Sequence, residues 1–162
     1  GSNYPRSELR EMADDGKKKA KWSSKTGTHI MFLDQAITAV PKNKQDVVAG
    51  QIHDSDKDII VIRLNYPNLH IRVEGEDVYT LDSNYALGKR FAVKFVANDD
   101  RTEVYYNNSF APVFTLNKKY SNAYFKAGVY TQSNCSREGS PDLCSNDNYG
   151  EVIVYQVTVT HK

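Results

Sequence analysis

The stretch YFKAGVYTQ, residues 124–132, alternates between polar and apolar side chains. In a β-strand, side chains at alternate positions share one face of the sheet. Phe125, Ala127 and Val129 therefore form an apolar face that suits a core. The other face carries the polar side chains Tyr124, Lys126, Tyr130 and Gln132. Gly128 adds no side chain to this polar face, and we expect the space it leaves to admit a ligand.

A strand-like pattern extends through the rest of the chain. Runs rich in β-branched and aromatic residues, separated by polar turns, predict strands at residues 5–11, 28–40, 46–53, 58–65, 70–74, 90–97, 102–106, 123–132 and 150–160. Eleven tyrosines are also typical of β-rich proteins. Only residues 14–20 are compatible with a helix, and their three lysines suit an exposed turn. These patterns predict an all-β sandwich or barrel.

Length and composition are those of one globular domain. The chain has 162 residues, of which 40% are hydrophobic and 25% charged. No apolar run approaches the roughly 20 residues that span a bilayer. The net charge of +1 indicates no polyanionic or cationic partner by itself. We therefore expect neither a nucleic acid nor a membrane as partner.

The two cysteines, Cys135 and Cys144, flank eight residues of loop-like composition. This spacing is compatible with a local disulfide. Two cysteines without a nearby histidine do not form a zinc site, so no metal is expected there. A disulfide would place folding in an oxidising compartment, which predicts a secreted or periplasmic protein.

Two further segments place unusual polar groups on one strand face. Arg6, Glu8 and Arg10 alternate in one segment, and Gln51 and His53 flank an inward-pointing Ile52 in the other. Taken singly, these patterns also fit a salt-bridge ladder and surface decoration, and a tyrosine-rich strand fits ordinary packing. Taken together, three strands with an apolar face and an Arg, Gln, His, Lys and Tyr face predict a surface that binds a polar polymer.

The segments YPRSELREM (4–12), QIH (51–53) and YFKAGVYTQ (124–132) resemble the three signature motifs of polysaccharide lyase family seven alginate lyases, in the same order and with similar spacing. The segments WSS (22–24), VVAG (47–50) and LDSNYALG (81–88) resemble the family too, as does the C-terminal stretch 149–161. The resemblance covers nearly the whole chain. It implies a β-jelly-roll sandwich of antiparallel sheets with a concave substrate-binding face, and a lyase that acts on alginate, the anionic polysaccharide partner.

Lyase chemistry on a uronate requires a group that neutralises the carboxylate, a base for the C5 proton and an acid for the leaving O4. Arg6 suits the carboxylate through bidentate, charge-assisted contact, and Gln51 can add an amide donor. His53 can accept the C5 proton, and Tyr130 can protonate O4. The resemblance implies the same four catalytic roles. Because Arg6 supplies the positive charge, no cofactor is expected.

The resemblance also indicates substrate preference. Mannuronate and guluronate differ in the ring face that carries the C5 proton. The family pattern assigns His53 as base for guluronate, and Tyr130 as both base and acid for mannuronate. The isoleucine in Gln-Ile-His predicts acceptance of guluronate-containing blocks, and cleavage is expected to be endolytic.

A second tier of residues is expected to bind neighbouring sugars or to support the four catalytic groups: Arg10, Tyr124, Lys126, Gln132 and Arg63. Glu8 is expected to orient Arg6 or Arg10. The lysines at 17–19 are interpreted as a solvated loop, with an anchor for polyanions as the alternative. His29, His70 and His161 match no motif and are interpreted as non-catalytic.

Three other functions compete with this interpretation. A carbohydrate-binding module of sandwich fold would use exposed aromatic platforms and would need no converging Arg, Gln, His and Tyr. A glycoside hydrolase needs two carboxylates flanking the scissile bond, and the matched motifs offer only Glu8. A lyase that acts on a different polyuronate remains the third alternative.

The motif that begins at Arg6 lies close to the start of the sequence, whereas similar family members carry several strands before it. The single domain, residues 1–162, is therefore expected to lack N-terminal strands of the full jelly roll. Either those strands were removed by truncation, or a cleaved N-terminal segment or a second chain is expected to complete the sandwich. Gly1-Ser2-Asn3 fits a cut in a loop as well as a cloning remnant.

Overall fold

The computed structural model describes residues 3–162, and its regular structure is almost entirely β-strand, as predicted. Gly1 and Ser2, which formed part of the expected cut, lie outside the described residues. In chain order the strands are β1 (Arg6–Arg10), β2 (Met12–Ala13), β3 (Lys18–Lys19), β4 (Thr28–Ala39), β5 (Asp46–His53), β6 (Asp58–Asn65), β7 (Asn68–Val73), β8 (Glu76–Asp82), β9 (Arg90–Asn98), β10 (Arg101–Tyr106), β11 (Phe114–Asn117), β12 (Tyr124–Thr131) and β13 (Glu151–His161).

The strands form two large antiparallel sheets. One has six strands in the order β1-β12-β5-β6-β7-β8, and the other has five in the order β11-β10-β9-β4-β13. Strands β2 and β3 form a small separate hairpin. The described edges β1 and β13 face each other across one side of the sandwich, where residues of β1, β12 and β13 line a common cleft.

One hydrophobic core fills the space between the two sheets. The five-stranded sheet contributes Leu33, Val93 and Phe95, and the six-stranded sheet contributes Ile52 and Phe125. Strand β9 alternates strictly between buried and less buried positions, as a half-buried strand should, and β4 does so over its first half. On β12, Phe125 and Ala127 belong to the core and Val129 packs against it, which confirms the predicted apolar face.

Nine of the strands follow the predicted ranges closely, while others differ. Strands β2, β3, β8 and β11 were not predicted, since β2, β3 and β11 are short and β8 is largely exposed. Residues 14–20 form no helix but the exposed turn of the β2–β3 hairpin. The helices that the structure describes are single turns, and none is long or apolar enough to cross a membrane.

The Cys135–Cys144 disulfide is present, with the two Cα atoms 4.9 Å apart, and it confirms the predicted pairing. The bridged segment was expected to be loop only, yet a short helix, α1 (Cys135–Glu138), begins it. The Asn134 side chain caps this helix by accepting from the backbone N–H of Arg137. An asparagine at that position was the available sequence signal.

Glu138 anchors the disulfide segment to the turn before β5. Its carboxylate accepts hydrogen bonds from the backbone N–H groups of Asn43 and Lys44 and from the side chains of Ser133 and Asn148. Burial would raise the pKa of this carboxyl, but these four donors outweigh desolvation and lower it to about 2. The loop is therefore held by a charged acceptor as well as by the disulfide.

Candidate active site

Strands β1, β12 and β5 lie side by side and bring the predicted polar residues onto one face. Arg6 pairs with Tyr130, Arg10 pairs with Lys126, and Tyr124 pairs with His53 in the two ladders. Residues opposite each other in an antiparallel pair project to the same face. Lys126 also pairs with Gln51. The four residues predicted to be catalytic therefore share the outer face of one sheet.

The Glu8 carboxylate forms the centre of this polar face. Its Oε1 atom lies 2.7 Å from Lys126 Nζ and 3.2 Å from Arg6 Nη1. Its Oε2 atom accepts a hydrogen bond of 2.7 Å from Gln51 Nε2. The Glu8 side chain is only 2% exposed, so three donors compensate for its burial. The expectation that Glu8 orients Arg6 is supported, while Arg10 makes a different contact.

The two arginines of β1 each stack on a tyrosine. The guanidinium carbon of Arg6 lies 3.8 Å from the centre of the Tyr130 ring. That of Arg10 lies 3.7 Å from the centre of the Tyr124 ring. Such stacking holds a planar cation in place and leaves its edge N–H groups able to contact a carboxylate. The Arg10 Nε atom is buried and has no hydrogen-bond partner among the described residues.

The surroundings of His53 define its tautomer. Its Nδ1 atom lies 2.6 Å from the backbone carbonyl oxygen of Asp54 and 3.1 Å from the Tyr124 hydroxyl. A carbonyl oxygen only accepts, so the proton of the neutral ring is assigned to Nδ1. The lone pair then lies on Nε2. This is the arrangement that a general base requires.

The turn after β5 holds the Asp54 carbonyl in place. The Asp54 side chain accepts hydrogen bonds of 2.7 Å from the backbone N–H groups of Asp56 and Lys57. Burial raises the pKa of the Asp54 carboxyl, but these backbone donors outweigh it and the pKa falls below its ordinary value. This role was not predicted, since a backbone carbonyl has no sequence signal, although Asp54-Ser55-Asp56 is a turn motif.

Gly128 does not leave room for a ligand, so that expectation is wrong. A side chain at this position would lie 2.8 Å from the Glu8 Cα atom and even closer to the Ser7 carbonyl. Its φ of 137° is also unfavourable for other residues. The glycine therefore admits the β1 backbone, and this close approach brings Glu8 to Lys126 and Gln51.

Arg63 and Gln132 lie near this face, but their side chains already bind other groups of the protein. Arg63 on β6 forms a two-pronged ion pair with the buried Asp46, with Nε 2.6 Å from Oδ1. Hydrogen bonding to Asp46 raises the pKa of Arg63 despite desolvation. The Gln132 amide donates to the backbone carbonyls of Thr131 and Tyr130. The sequence did not indicate Asp46 as the partner of Arg63.

The polar face carries excess positive charge. Arg6, Arg10 and Lys126 contribute three positive charges and Glu8 contributes one negative charge, which leaves +2 on this cluster. The nearby pair of Arg63 and Asp46 is neutral as a unit. A surface of this kind attracts an anionic polymer although the whole chain has a charge of only +1.

Comparison with known proteins agrees with this architecture. The family model described as alginate lyase matches residues 1–161. An alginate lyase of polysaccharide lyase family 7, AlgAT5, is 51% identical, with a TM-score of 0.92 over 100% of this chain and 72% of its own. An alginate lyase from Corynebacterium sp. is 44% identical, with a TM-score of 0.93 over 100% of this chain and 71% of its own.

A more distant structure has the same fold. A variant of the family 7 alginate lyase A1-II′, in complex with a product (GGG), is 25% identical, with a TM-score of 0.79 over 99% of this chain and 74% of its own. The comparison with curated proteins gives no significant match. The fold and the charged sheet face define a polysaccharide lyase of jelly-roll architecture. The chain belongs to the alginate lyase family, polysaccharide lyase family 7.

Proposed function

We propose that this chain cleaves alginate by β-elimination at the 4-O-glycosidic bond and leaves 4,5-unsaturated uronate ends. The observation that carries the proposal is the hydrogen bond from His53 Nδ1 to the Asp54 carbonyl, on the same sheet face as the Glu8-centred cluster. It assigns the free lone pair to Nε2, beside the surface that attracts a uronate carboxylate. A base and a cationic carboxylate site then act on one sugar.

Arg6 and Gln51 are proposed to bind the carboxylate of the sugar whose C5 proton is removed. Both donate to Glu8, which fixes their positions, and both retain further N–H groups for substrate. Charge that develops on the carboxylate as C5 loses its proton is stabilised by these donors. Lys126, bound to the other side of Glu8, adds positive charge to the same region.

The elimination then transfers one proton from the substrate to the enzyme and one proton from the enzyme to the leaving group. His53 Nε2 takes the C5 proton of guluronate, the C4–C5 double bond forms, and the bond from C4 to O4 breaks. The Tyr130 hydroxyl donates its proton to the departing O4. For mannuronate, whose C5 proton lies on the other ring face, Tyr130 acts as base and acid. Arg6, stacked on the Tyr130 ring, keeps this residue beside the carboxylate site.

The rest of the polar face is proposed to hold neighbouring sugars, as the concave binding face of the sandwich. Arg10 and Tyr124 lie at one end of the Glu8-centred cluster, and the face continues through Arg63 on β6 to His70 on β7. This extent across several strands supports endolytic cleavage, and the isoleucine in Gln-Ile-His supports acceptance of guluronate-containing blocks. The disulfide supports a secreted or periplasmic location.

Separate incubation with polyguluronate and polymannuronate tests the reaction class. The proposal predicts growing ultraviolet absorbance from the new C4–C5 double bond, matched by an equal number of new reducing ends. New reducing ends without absorbance would indicate a hydrolase. Binding without either product would indicate a carbohydrate-binding module, and activity confined to another polyuronate would overturn the substrate assignment.

We also propose that a further β segment, from a cleaved N-terminal part or a second chain, covers the side formed by β1 and β13. Leu9 is 62% exposed there, and Val152 and Val154 of β13 line the same cleft. A cavity of about 430 Å³ opens between β12 and the disulfide segment. Free strand edges with apolar side chains favour association.

Intact-mass analysis under denaturing conditions, combined with sedimentation, tests this second proposal. A second peptide that co-purifies with the natural enzyme would support a covering segment. A single 18.3 kDa species that is monomeric, soluble and fully active would contradict it.

A further inference from the structure

A chain of hydrogen bonds lies behind the active-site face, among residues that the proposed reaction does not use. His29 Nε2 lies 2.7 Å from the backbone carbonyl of Thr26, and His29 Nδ1 lies 2.7 Å from His161 Nδ1. His161 Nε2 lies 2.5 Å from Glu11 Oε1. These hydrogen bonds join the start of β4, the end of β13 and the residue after β1.

With Glu11 ionised, two neutral imidazoles do not carry enough protons to form all of these hydrogen bonds. The Thr26 carbonyl and an ionised Glu11 carboxylate both accept, so His29 Nε2 and His161 Nε2 each carry a proton. The contact between the two Nδ1 atoms needs one more proton between them. The pair therefore holds three protons, whereas two neutral imidazoles hold two.

The surroundings favour a shared positive charge. The Trp22 ring stacks on His29 with ring centres 4.4 Å apart, and an aromatic face attracts a cation. The Glu11 carboxylate, only 4% exposed, is the counter-ion. Lys162 follows His161 in sequence, and Lys25, four residues before His29, is paired with Asp99. Ala97 on β9, opposite His29, is uncharged.

The contact is not that of a metal site. A zinc ion bound at about 2.0–2.1 Å from two nitrogens in tetrahedral geometry separates them by about 3.3 Å. The two Nδ1 atoms here are 2.7 Å apart, which is a hydrogen-bond distance.

Glu11 connects this charge to the active-site face. Its Oε2 atom accepts hydrogen bonds of 2.9 Å from the Phe125 backbone N–H and from Trp22 Nε1, and its own N–H donates to the Phe125 carbonyl. Phe125 lies between Tyr124 and Lys126 in β12, and Glu11 follows Arg10. The Glu11 contacts therefore close the β1–β12 ladder beside three residues of the polar face.

We propose that His29 and His161 share one extra proton, and that this charge fixes Glu11 as a positioning residue for Arg10, Tyr124 and Lys126. Histidines of an unfolded chain titrate near pH 6.5. If the folded pair binds one more proton than the unfolded chain, rising pH weakens folding by up to about tenfold in the equilibrium constant per pH unit. Two unfolded histidines already bind on average one extra proton at about pH 6.5, so the loss of stability with rising pH begins above that value.

Nitrogen NMR of the histidine rings in the intact protein tests the proton count without any substitution. At about pH 7.5, where two ordinary histidines together hold little more than two ring protons, three of the four ring nitrogens of His29 and His161 should be protonated in each molecule. Two protonated nitrogens in the folded protein would overturn the proposal. This result does not depend on lyase activity, so it stands or falls separately from the proposed function.

Stability between about pH 6 and about pH 8 gives the second test. His161→Gln keeps an amide donor near Glu11 but removes the titrating ring, and Lys162→Gln is the control for lost charge at the same strand end. We expect the wild type and Lys162→Gln to lose stability with rising pH more steeply than His161→Gln. Equal slopes for all three proteins would overturn the proposal.

Kinetics on alginate separate positioning from general loosening. His161→Gln should raise KM roughly three- to tenfold, the effect of one weakened polar contact, with a smaller change in kcat. This follows because Arg10, Tyr124 and Lys126 lie closer to Glu11 than Tyr130 does along the β1–β12 ladder. An unchanged KM in a folded His161→Gln protein would contradict the positioning role.

Discussion

Glu8 and Glu11 lie three residues apart, yet they organise two different regions of the molecule. Both carboxylates are nearly buried, with 2% and 4% of their side chains exposed. Glu8 accepts from Arg6, Gln51 and Lys126 on the outer sheet face. Glu11 ties the β1 end to Phe125 in β12. A buried carboxylate within β1 therefore arranges the polar side chains of the sheet face, whereas a buried carboxylate just after β1 fastens strands together.

The hydrogen-bond donors around Glu8 and Glu11 explain why the two carboxylates have different roles. Three donors around Glu8 come from side chains that retain further N–H groups for a ligand. The donors around Glu11 are a tryptophan, a histidine and a backbone amide, all turned away from the polar face. Changes in the Glu8 region should mainly alter catalysis, and changes in the Glu11 region should mainly alter stability.

Tyr130→Phe should produce the largest effect on the catalytic side of this comparison. Removal of the hydroxyl deletes the proposed acid for both epimers, which typically costs about 10²- to 10⁴-fold in rate. We expect losses of that size on polyguluronate and polymannuronate, with an unchanged melting temperature. Near-normal rates on both polymers would remove Tyr130 from the mechanism.

Glu8→Gln should have the next largest effect. The neutral amide weakens charge-assisted bonds to Arg6 and Lys126, a loss that corresponds to roughly 10- to 100-fold in kcat. KM should change less, because the cluster charge rises from +2 to +3 as Glu8 is neutralised. Steady-state kinetics check this division. A variant with normal kcat and a large loss of stability would mean that Glu8 is purely structural.

Glu11→Gln is the matched substitution in the other region. It removes the counter-ion of the histidine pair and weakens the hydrogen bonds to Trp22 and Phe125, so we expect about 1–3 kcal/mol less stability. Denaturant unfolding measures the change, and the loss in kcat should be smaller than for Glu8→Gln. Equal losses of kcat in the two variants would end the distinction between the regions.

Glu138 sharpens the comparison because it is a third buried carboxylate with no tie to either region. Its pKa is lowered to about 2, so its stabilisation is present above its ordinary pKa and is lost as pH falls from there to about 2. Wild type should therefore melt at a higher temperature than Glu138→Gln near neutral pH, and the gap should narrow in acid. A gap that widens in acid would contradict the assigned direction.

Much of this architecture could be predicted from alternation in the sequence. The polar and apolar faces of β12 and the inward Ile52 follow from period-two patterns, and the grouping of Arg6, Gln51, His53 and Tyr130 was implied by the family resemblance. Strand β8 was not predicted because an exposed strand leaves a weak apolar signal, and β11 was not predicted because it has only four residues. The partners of Glu8 and Arg63 escaped because they depend on which strands become neighbours and in what register.

Backbone features also could not be predicted from the sequence. The Asp54 carbonyl that assigns the His53 tautomer has no side-chain signature, and Gly128 could serve a ligand or a neighbouring strand. Ladder irregularities shift the register of β5 against β12 and β6. Such shifts decide which polar residues meet, and a sequence pattern within one strand does not reveal them.

The most direct test of the central claim is the rate of unsaturated-product formation by His53→Ala on polyguluronate and on polymannuronate. We expect the rate to fall about 10²- to 10⁴-fold on polyguluronate, where His53 is the base, and to fall less on polymannuronate, where Tyr130 takes that role. Near-normal rates of a folded His53→Ala protein on both polymers would contradict the assignment of His53 as the catalytic base.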